Sequence, residues 1–135
     1  MSEAFHLFGQ GEKSISVGEF AQWVLSVPIG TFAVTAKVEI LSQESGLTNV
    51  GVSLNPEGPG IITSETRPDS VNIGLRGVAV RHVATLQAVV ATNSPAKVFV
   101  RCGISTGSAQ ISKGTITAIR LVDPNHLHIE NQIVQ

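Results

Sequence analysis

From Thr31 to Leu41 the chain reads TFAVTAKVEIL, with Phe32, Val34, Ala36, Val38 and Ile40 on one side and Ala33, Thr35, Lys37 and Glu39 on the other. A period of two marks an extended backbone with one buried face, because successive side chains of a strand point in opposite directions. Nowhere do apolar residues recur at helical spacing over a dozen positions without a Gly, a Pro or a run of β-branched residues interrupting them. The alternation therefore commits the chain to sheet.

Other segments repeat the pattern. FAQWVLSV puts Trp23, Leu25 and Val27 on one face, and Pro28-Ile29-Gly30 supplies a turn that predicts a hairpin with the strand after it. Strands are predicted at VGVSL, with Val50, Val52 and Leu54 inward, and at DSVNIGL, with Val71, Ile73 and Leu75 inward. VATLQAVVA, AKVFVRC and TITAIRLV follow, with a short strand at KSISV and others near the termini. The stretch PEGPGIITSETRP, residues 56–68, holds three prolines and two glycines and reads as an irregular loop. Asn93-Ser94-Pro95 predicts a second hairpin, and Gly103 to Gly107 with Gly114 bracket a further turn or edge segment. Seven to nine short strands without linker or repeat describe one domain, residues 1–135, built as a sandwich, jelly roll or barrel.

Composition decides how such a sheet protein meets its neighbours. Charged residues make up 14% of the chain, against roughly 25% in an average soluble domain, and this shortage favours assembly. A net charge of -1 with thinly spread cations provides no basic stripe, which excludes nucleic acid as the expected partner. No apolar run is long enough to cross a bilayer, and MSEAFHLFGQGEK lacks the layout of a secretion signal, so neither membrane insertion nor that export route is expected. Cys102 is the lone cysteine, leaves packing alone to hold the fold, and shares a strand face with Val98 and Val100. A disulfide-free chain leaves the compartment open.

Several strands are apolar on both faces. In HVATLQAVVA the faces are Val83, Thr85, Gln87, Val89 and Ala84, Leu86, Ala88, Val90; in TITAIRLV, Ile116, Ala118 and Val122 oppose Ile119 and Leu121. A strand in an antiparallel sandwich needs one apolar face, so a copy of the same chain is the expected cover for the other.

The run VATLQAVVATNSPAKVFVRCGISTGSAQISKGTITAIRLV, from Val83 to Val122, resembles the end of bacterial and phage domains of the tumour necrosis factor and complement globular-head superfamily. There a "tLq.vv" strand, a "v.lrC" strand, a small-residue turn and an "itAi.v" strand follow in that order. WVLSVPIGTFAVTAKVEI resembles the same family's "l.vpaGtY.v.akv" segment more loosely, with Phe32 at the aromatic position. The resemblance implies a ten-stranded, TNF-like antiparallel jelly-roll β-sandwich that forms a homotrimer, one sheet of each protomer packed on its neighbours. With no tyrosine, collagen-like stalk or membrane anchor, the chain is not expected to signal as the eukaryotic ligands do.

Catalysis is not expected. Acyl transfer needs a nucleophile, base and orienter held together, and GVSLNPEGPG lacks the Lys-Ser/Thr end and following helix of a phosphate loop. His126 and His128 would share a strand face, but a metal needs three or more ligands and no third lies near, so no metal or cofactor is expected. His6 is expected only to pack. The residues singled out for ligand contact are Arg76, Arg81, His82 and Arg101, on or beside central strands where charge is unusual. At a subunit boundary they would grip a carboxylate or hydroxyl pair, or form salt bridges between subunits. The expected function is a non-enzymatic structural or adhesion module, such as a phage or surface-appendage head that meets a cell-surface receptor. The alternative is a carbohydrate-binding protein with sites between protomers. Against an aromatic sugar platform, the chain holds one Trp, and Trp23 faces the core side.

Overall fold

A computed structural model of the protein describes residues 3–9 and 11–121; His126 and His128 lie outside them. Nine strands are present among the described residues, one fewer than the resemblance implies: β1 (Ala4–Phe8), β2 (Glu12–Ser16), β3 (Phe20–Val27), β4 (Gly30–Ser42), β5 (Leu47–Glu57), β6 (Asp69–Arg76), β7 (Arg81–Thr92), β8 (Ala96–Thr106) and β9 (Ser108–Arg120). A front sheet runs β1-β9-β4-β7, with β2 continuing beside β9, and a back sheet runs β3-β8-β5-β6. All pairs are antiparallel. The architecture is a jelly-roll sandwich.

The inward faces match the alternation. Phe32, Val34, Ala36, Val38 and Ile40 of β4 are buried against Val50, Val52 and Leu54 of β5, Val98, Val100 and Cys102 of β8, and Ala84, Leu86, Ala88 and Val90 of β7. Val71 departs from expectation: it remains 39% exposed on the edge strand β6, where the front sheet does not cover it.

Neither predicted hairpin forms. Pro28-Ile29 joins β3 of the back sheet to β4 of the front sheet, and Asn93-Ser94-Pro95 joins β7 in front to β8 behind. Both are crossings between layers. Turn residues show that the chain reverses, not whether the next strand lies beside the last or across the core from it. Among consecutive described strands only β5 and β6 are hydrogen-bonded partners. Gly103 lies inside β8 and Gly114 inside β9, so the turn in that region is Gly107 alone, at a φ of 81°.

The 58–68 loop is irregular, as predicted, but β5 extends through Pro56 and Glu57 before it begins. Proline is tolerated there because β5 has run past its last pair with β6, Leu54 with Asp69. The loop then covers the free edge of β7: Arg67 N–H donates to Val89 O at 2.7 Å, Val89 N–H to Arg67 O at 3.0 Å, and Ile62 N–H to Ala91 O at 2.8 Å. Asp69 Oδ2 accepts from Gln87 N–H at 3.0 Å. Pairing these groups removes most of a template for edge-to-edge aggregation.

Trp23 explains the irregularity of β9. Thr115 pairs with Lys37 but Ser112 pairs with Glu39, so Lys113 and Gly114 bulge opposite Val38. Lys113 has a φ of 54°. On its other side β9 loses β1 after Thr115 and regains β2 at Ser112, with Gly9 N–H donating to Gly114 O at 2.6 Å. The Trp23 indole packs against both glycines, and a Cβ at either would overlap it.

Candidate functional site

A charged group held by several neighbours on an exposed face is Arg101. It projects outward from β8, and its guanidinium lies 5.5 Å from the ring centre of Phe20 and 5.4 Å from that of Phe99. Its Nε donates to Gln22 Oε1 at 2.9 Å, and Glu57 lies 3.9 Å away. Two rings and an amide fix the planar donor group in one orientation, which lowers the side-chain entropy a bound partner would otherwise remove. The strands dictate this cluster: Gln22 pairs with Arg101, and Val24 and Asn55 flank Phe99.

The outer back face carries amides, serines and glycines. One row across the four strands reads Gln22, Arg101, Ser53, Ser70, and the next reads Phe20, Gly103, Gly51, Asn72. Beyond it Asn49 pairs with Gly74, and Arg76 closes the face beside Leu47. A depression of about 340 Å³ opens here, lined by Asn49, Asn72, Gly74 and Ser105. Ser105 is the extra residue of a second bulge, since Asn49 pairs with Thr106 and Val50 with Ile104.

The four residues singled out from the sequence thus divide between the sheets. Arg76 and Arg101 share the outer back face on either side of the glycine row. Arg81 and His82 lie at the start of β7 in the front sheet, where Arg81 is bonded to Glu39, itself 3.3 Å from Lys113. His82 is exposed opposite Ile40. His6 is also exposed, with Nδ1 3.1 Å from Thr117 Oγ1 and its ring stacked on Phe8. Sequence reasoning missed Phe20, Gln22, Phe99, Asn49, Asn72 and the glycines. Their signal is the polar half of the alternation, Asn49-Gly51-Ser53-Asn55, which holds amides and glycine where a merely solvated face usually holds Lys, Glu or Thr.

The outer front face differs. Ala4, Ile119, Ala33 and Val89 form one row and His6, Thr117, Thr35 and Gln87 the next, both without acid, Lys or Arg. Val83 is 53% exposed and Ile119 43%. On the described strands charge gathers at the far end, in Lys37, Glu39, Arg81 and Lys113, while Arg67 of the loop stands beside Val89. A groove of about 460 Å³, lined by Ala33, Thr35, Arg67, Pro68, Gln87 and Val89, runs between this face and the loop beside β7. Apart from that rim, no loop among the described residues covers these second faces.

No group of three or more metal-ligating side chains occurs among the described residues. Two short runs match hydrolase patterns in the wrong context. Gly103-Ile104-Ser105-Thr106-Gly107 has the spacing of a nucleophile elbow but lies along β8 and its end, without the following helix that motif requires. Ser94-Pro95-Ala96-Lys97 spans the crossing into β8. Cys102 is fully buried, and burial pushes its thiol up to about 12 from an ordinary value near 9. Folded protein at pH 8 is expected to resist a thiol reagent such as Ellman's, and denatured protein to react at one equivalent; rapid labelling of the native chain would contradict the burial. Above about 9 the unfolded chain loses this proton while the folded chain keeps it, so stability is full below that pH and falls as pH rises toward 12.

No family model and no curated protein sequence matches the chain. Among solved structures it is similar to the Eiger TNF of S. frugiperda, at a TM-score of 0.58 and 10% identity, covering 90% of this chain and 94% of that one. It is also similar to a protein of infectious bursal disease virus, Gx strain, at a TM-score of 0.51 and 12% identity, covering 93% of this chain and 33% of that one, so it spans about a third of the viral chain. No helix among the described residues is long and apolar enough to cross a membrane. Sheet order, crossings and likeness to Eiger agree: the chain has the fold of a TNF-like jelly-roll domain.

Proposed function

We propose that the protein is a non-enzymatic binding or structural module that self-associates as a homotrimer through the outer face of its front sheet, serving as the head of a virion or cell-surface appendage. The observation that carries this reading is the uncharged double row from Ala4 to Val89 and from His6 to Gln87, with Ile119 at its centre. The apolar row of that pair, Ala4, Ile119, Ala33 and Val89, remains in water only at a cost of roughly 25 cal/mol per Å² of apolar surface. A second copy removes that cost, and closed symmetry lets every copy use the same patch. The low charge of the chain supports the same reading. The jelly-roll fold shared with Eiger TNF supports self-association.

Light scattering at micromolar concentration is expected to return three times the 14.2 kDa chain mass. A monomer at that concentration would remove the proposal.

A further inference from the structure

We propose that the outer face of the back sheet holds one carboxylate-bearing sugar, a uronate or a sialate, with its carboxylate on Arg101 and its ring beside Phe99. The site lies within one subunit and does not depend on self-association, which uses the opposite sheet.

Three features that do not depend on one another meet here. The first is a depression of about 480 Å³, lined by Ser26, Glu57, Pro59, Pro95, Lys97 and Phe99. Its size falls within the range of about 300–1,000 Å³ that small-molecule sites occupy. The second is the guanidinium beside it. Arg101 Nε is engaged by Gln22 at 2.9 Å, whereas Glu57, 3.9 Å from Nη2, lies beyond direct hydrogen-bond reach. Among the described residues no acceptor takes the Nη1–Nη2 edge, the edge that grips a carboxylate with two parallel N–H bonds. Phe20 and Phe99 hold that edge in place, their ring centres 5.5 Å and 5.4 Å from the guanidinium carbon. The third feature is charge. The outward positions of the four back-sheet strands carry Arg76, Lys97 and Arg101 against Glu57, an excess of cations in a chain whose net charge is -1. That excess draws an anion to this face.

Phe99 joins the two halves of the site. It lines the depression and stands against Arg101, so a ring seated in the depression brings a carboxylate attached to it within reach of the guanidinium. Its half-buried ring is an apolar surface of the kind that lies against the C–H face of a pyranose. The flanking strands place Asn55 beside Phe99, Ser53 beside Arg101 and Ser26 beside Lys97. Each offers both a donor and an acceptor, the pattern that pairs with hydroxyls. Glu57, opposite Lys97, accepts from a further hydroxyl. Two cations, Lys97 and Arg101, face the one acid, Glu57, and leave a single positive charge within the site. That balance matches one carboxylate and not a densely sulfated chain. A peptide strand would instead seek a sheet edge, where backbone groups are free.

An array of neutral, sulfated, uronate-bearing and sialate-bearing glycans, followed by calorimetry with the best soluble hit, tests this. Hits are expected among the carboxylate-bearing glycans, and the arm in which they fall, uronate or sialate, names the source. The methyl ester of the same sugar is expected to bind at least roughly tenfold more weakly, because it loses a charge-assisted, two-bond contact. Arg101→Gln is expected to weaken the acid by a similar factor while keeping the native fold and oligomeric mass, and Phe99→Leu to weaken both acid and ester. Arg76→Gln, on the same face but outside the site, is expected to bind with close to native affinity. A blank carboxylate panel, hits led by neutral or sulfated glycans, an ester that binds as well as the acid, or full affinity in Arg101→Gln would each overturn the proposal. So would an equal loss in Arg76→Gln, the mark of a diffuse field rather than a site. Arg101-dependent binding by a monomer would sink the assembly reading and leave this one standing.

Discussion

Glutamate in place of Ile119 is expected to convert the proposed homotrimer into folded monomers. Ile119 pairs with Ala4 on one side and Ala33 on the other, at the centre of the uncharged part of the front face, and is 43% exposed in the single subunit. The substitution therefore places a solvated carboxylate on the free chain and leaves the core, which faces the other way, unchanged. At a symmetric interface every subunit brings the same charge to the same patch, and neither uncharged strand row holds a Lys or Arg; Arg67, beside Val89, stands three strand gaps from Ile119. Burying an unpaired carboxylate costs several kcal/mol even after relaxation. About 4 kcal/mol corresponds to roughly a thousandfold in the dissociation constant. Sedimentation velocity should show the shift in mass, with far-UV circular dichroism and melting temperature close to those of the isolated native subunit. Unchanged mass would mean that another face holds the copies together.

A second large effect is expected at the bulge in β9. Valine at Gly114 would drive its side chain into the Trp23 indole, which already fills the gap between β1 and β2 and packs on Gly9. Overpacking typically costs about 1–3 kcal/mol, and the upper end applies because the opposing Gly9 backbone leaves the ring no room to retreat. A loss near 3 kcal/mol lowers the melting temperature by roughly 10 °C in a domain of this size. Trp23 is the only tryptophan, so its fluorescence reports the same site directly. Trp23→Leu in the Gly114→Val background should recover part of the loss, since a smaller side chain relieves the overlap. Strictly additive effects in that double-mutant cycle would show that the indole is not what the glycine accommodates.

Why some of this was readable in advance and some was not follows from the range of each interaction. The inward faces of β4, β5, β7 and β8 follow from alternation because side-chain direction is a local property of an extended backbone. Val71 broke the pattern because burial also needs a sheet overhead, and the edge of the back sheet has none at that point. The Pro28-Ile29 and Asn93-Ser94-Pro95 turns were located correctly but assigned the wrong geometry, since a two-layer crossing and a hairpin use the same turn chemistry. Arg101 was singled out as an unusual charge in a strand. That it stacks between Phe20 and Phe99 depends on β3 and β8 being neighbours 79 residues apart, as its bond to Gln22 shows. Arg76 shares that face only because β5 separates its strand from β8, and Arg81 is removed from it because β7 belongs to the other layer.

The amino-acid order alone determined that this chain makes strands, which side of most of them is apolar, and that it carries little charge, because each is a property of neighbouring residues or of the total composition. Only the tertiary structure decided which strands meet. Pairing joins segments up to 117 residues apart, as when Arg120 bonds Glu3, and many arrangements satisfy the same alternation, so the choice rests on how whole faces pack. The Arg101 cluster, the Trp23 slot and the uncharged front rows are each assembled from three or more strands, and none exists until that choice is made.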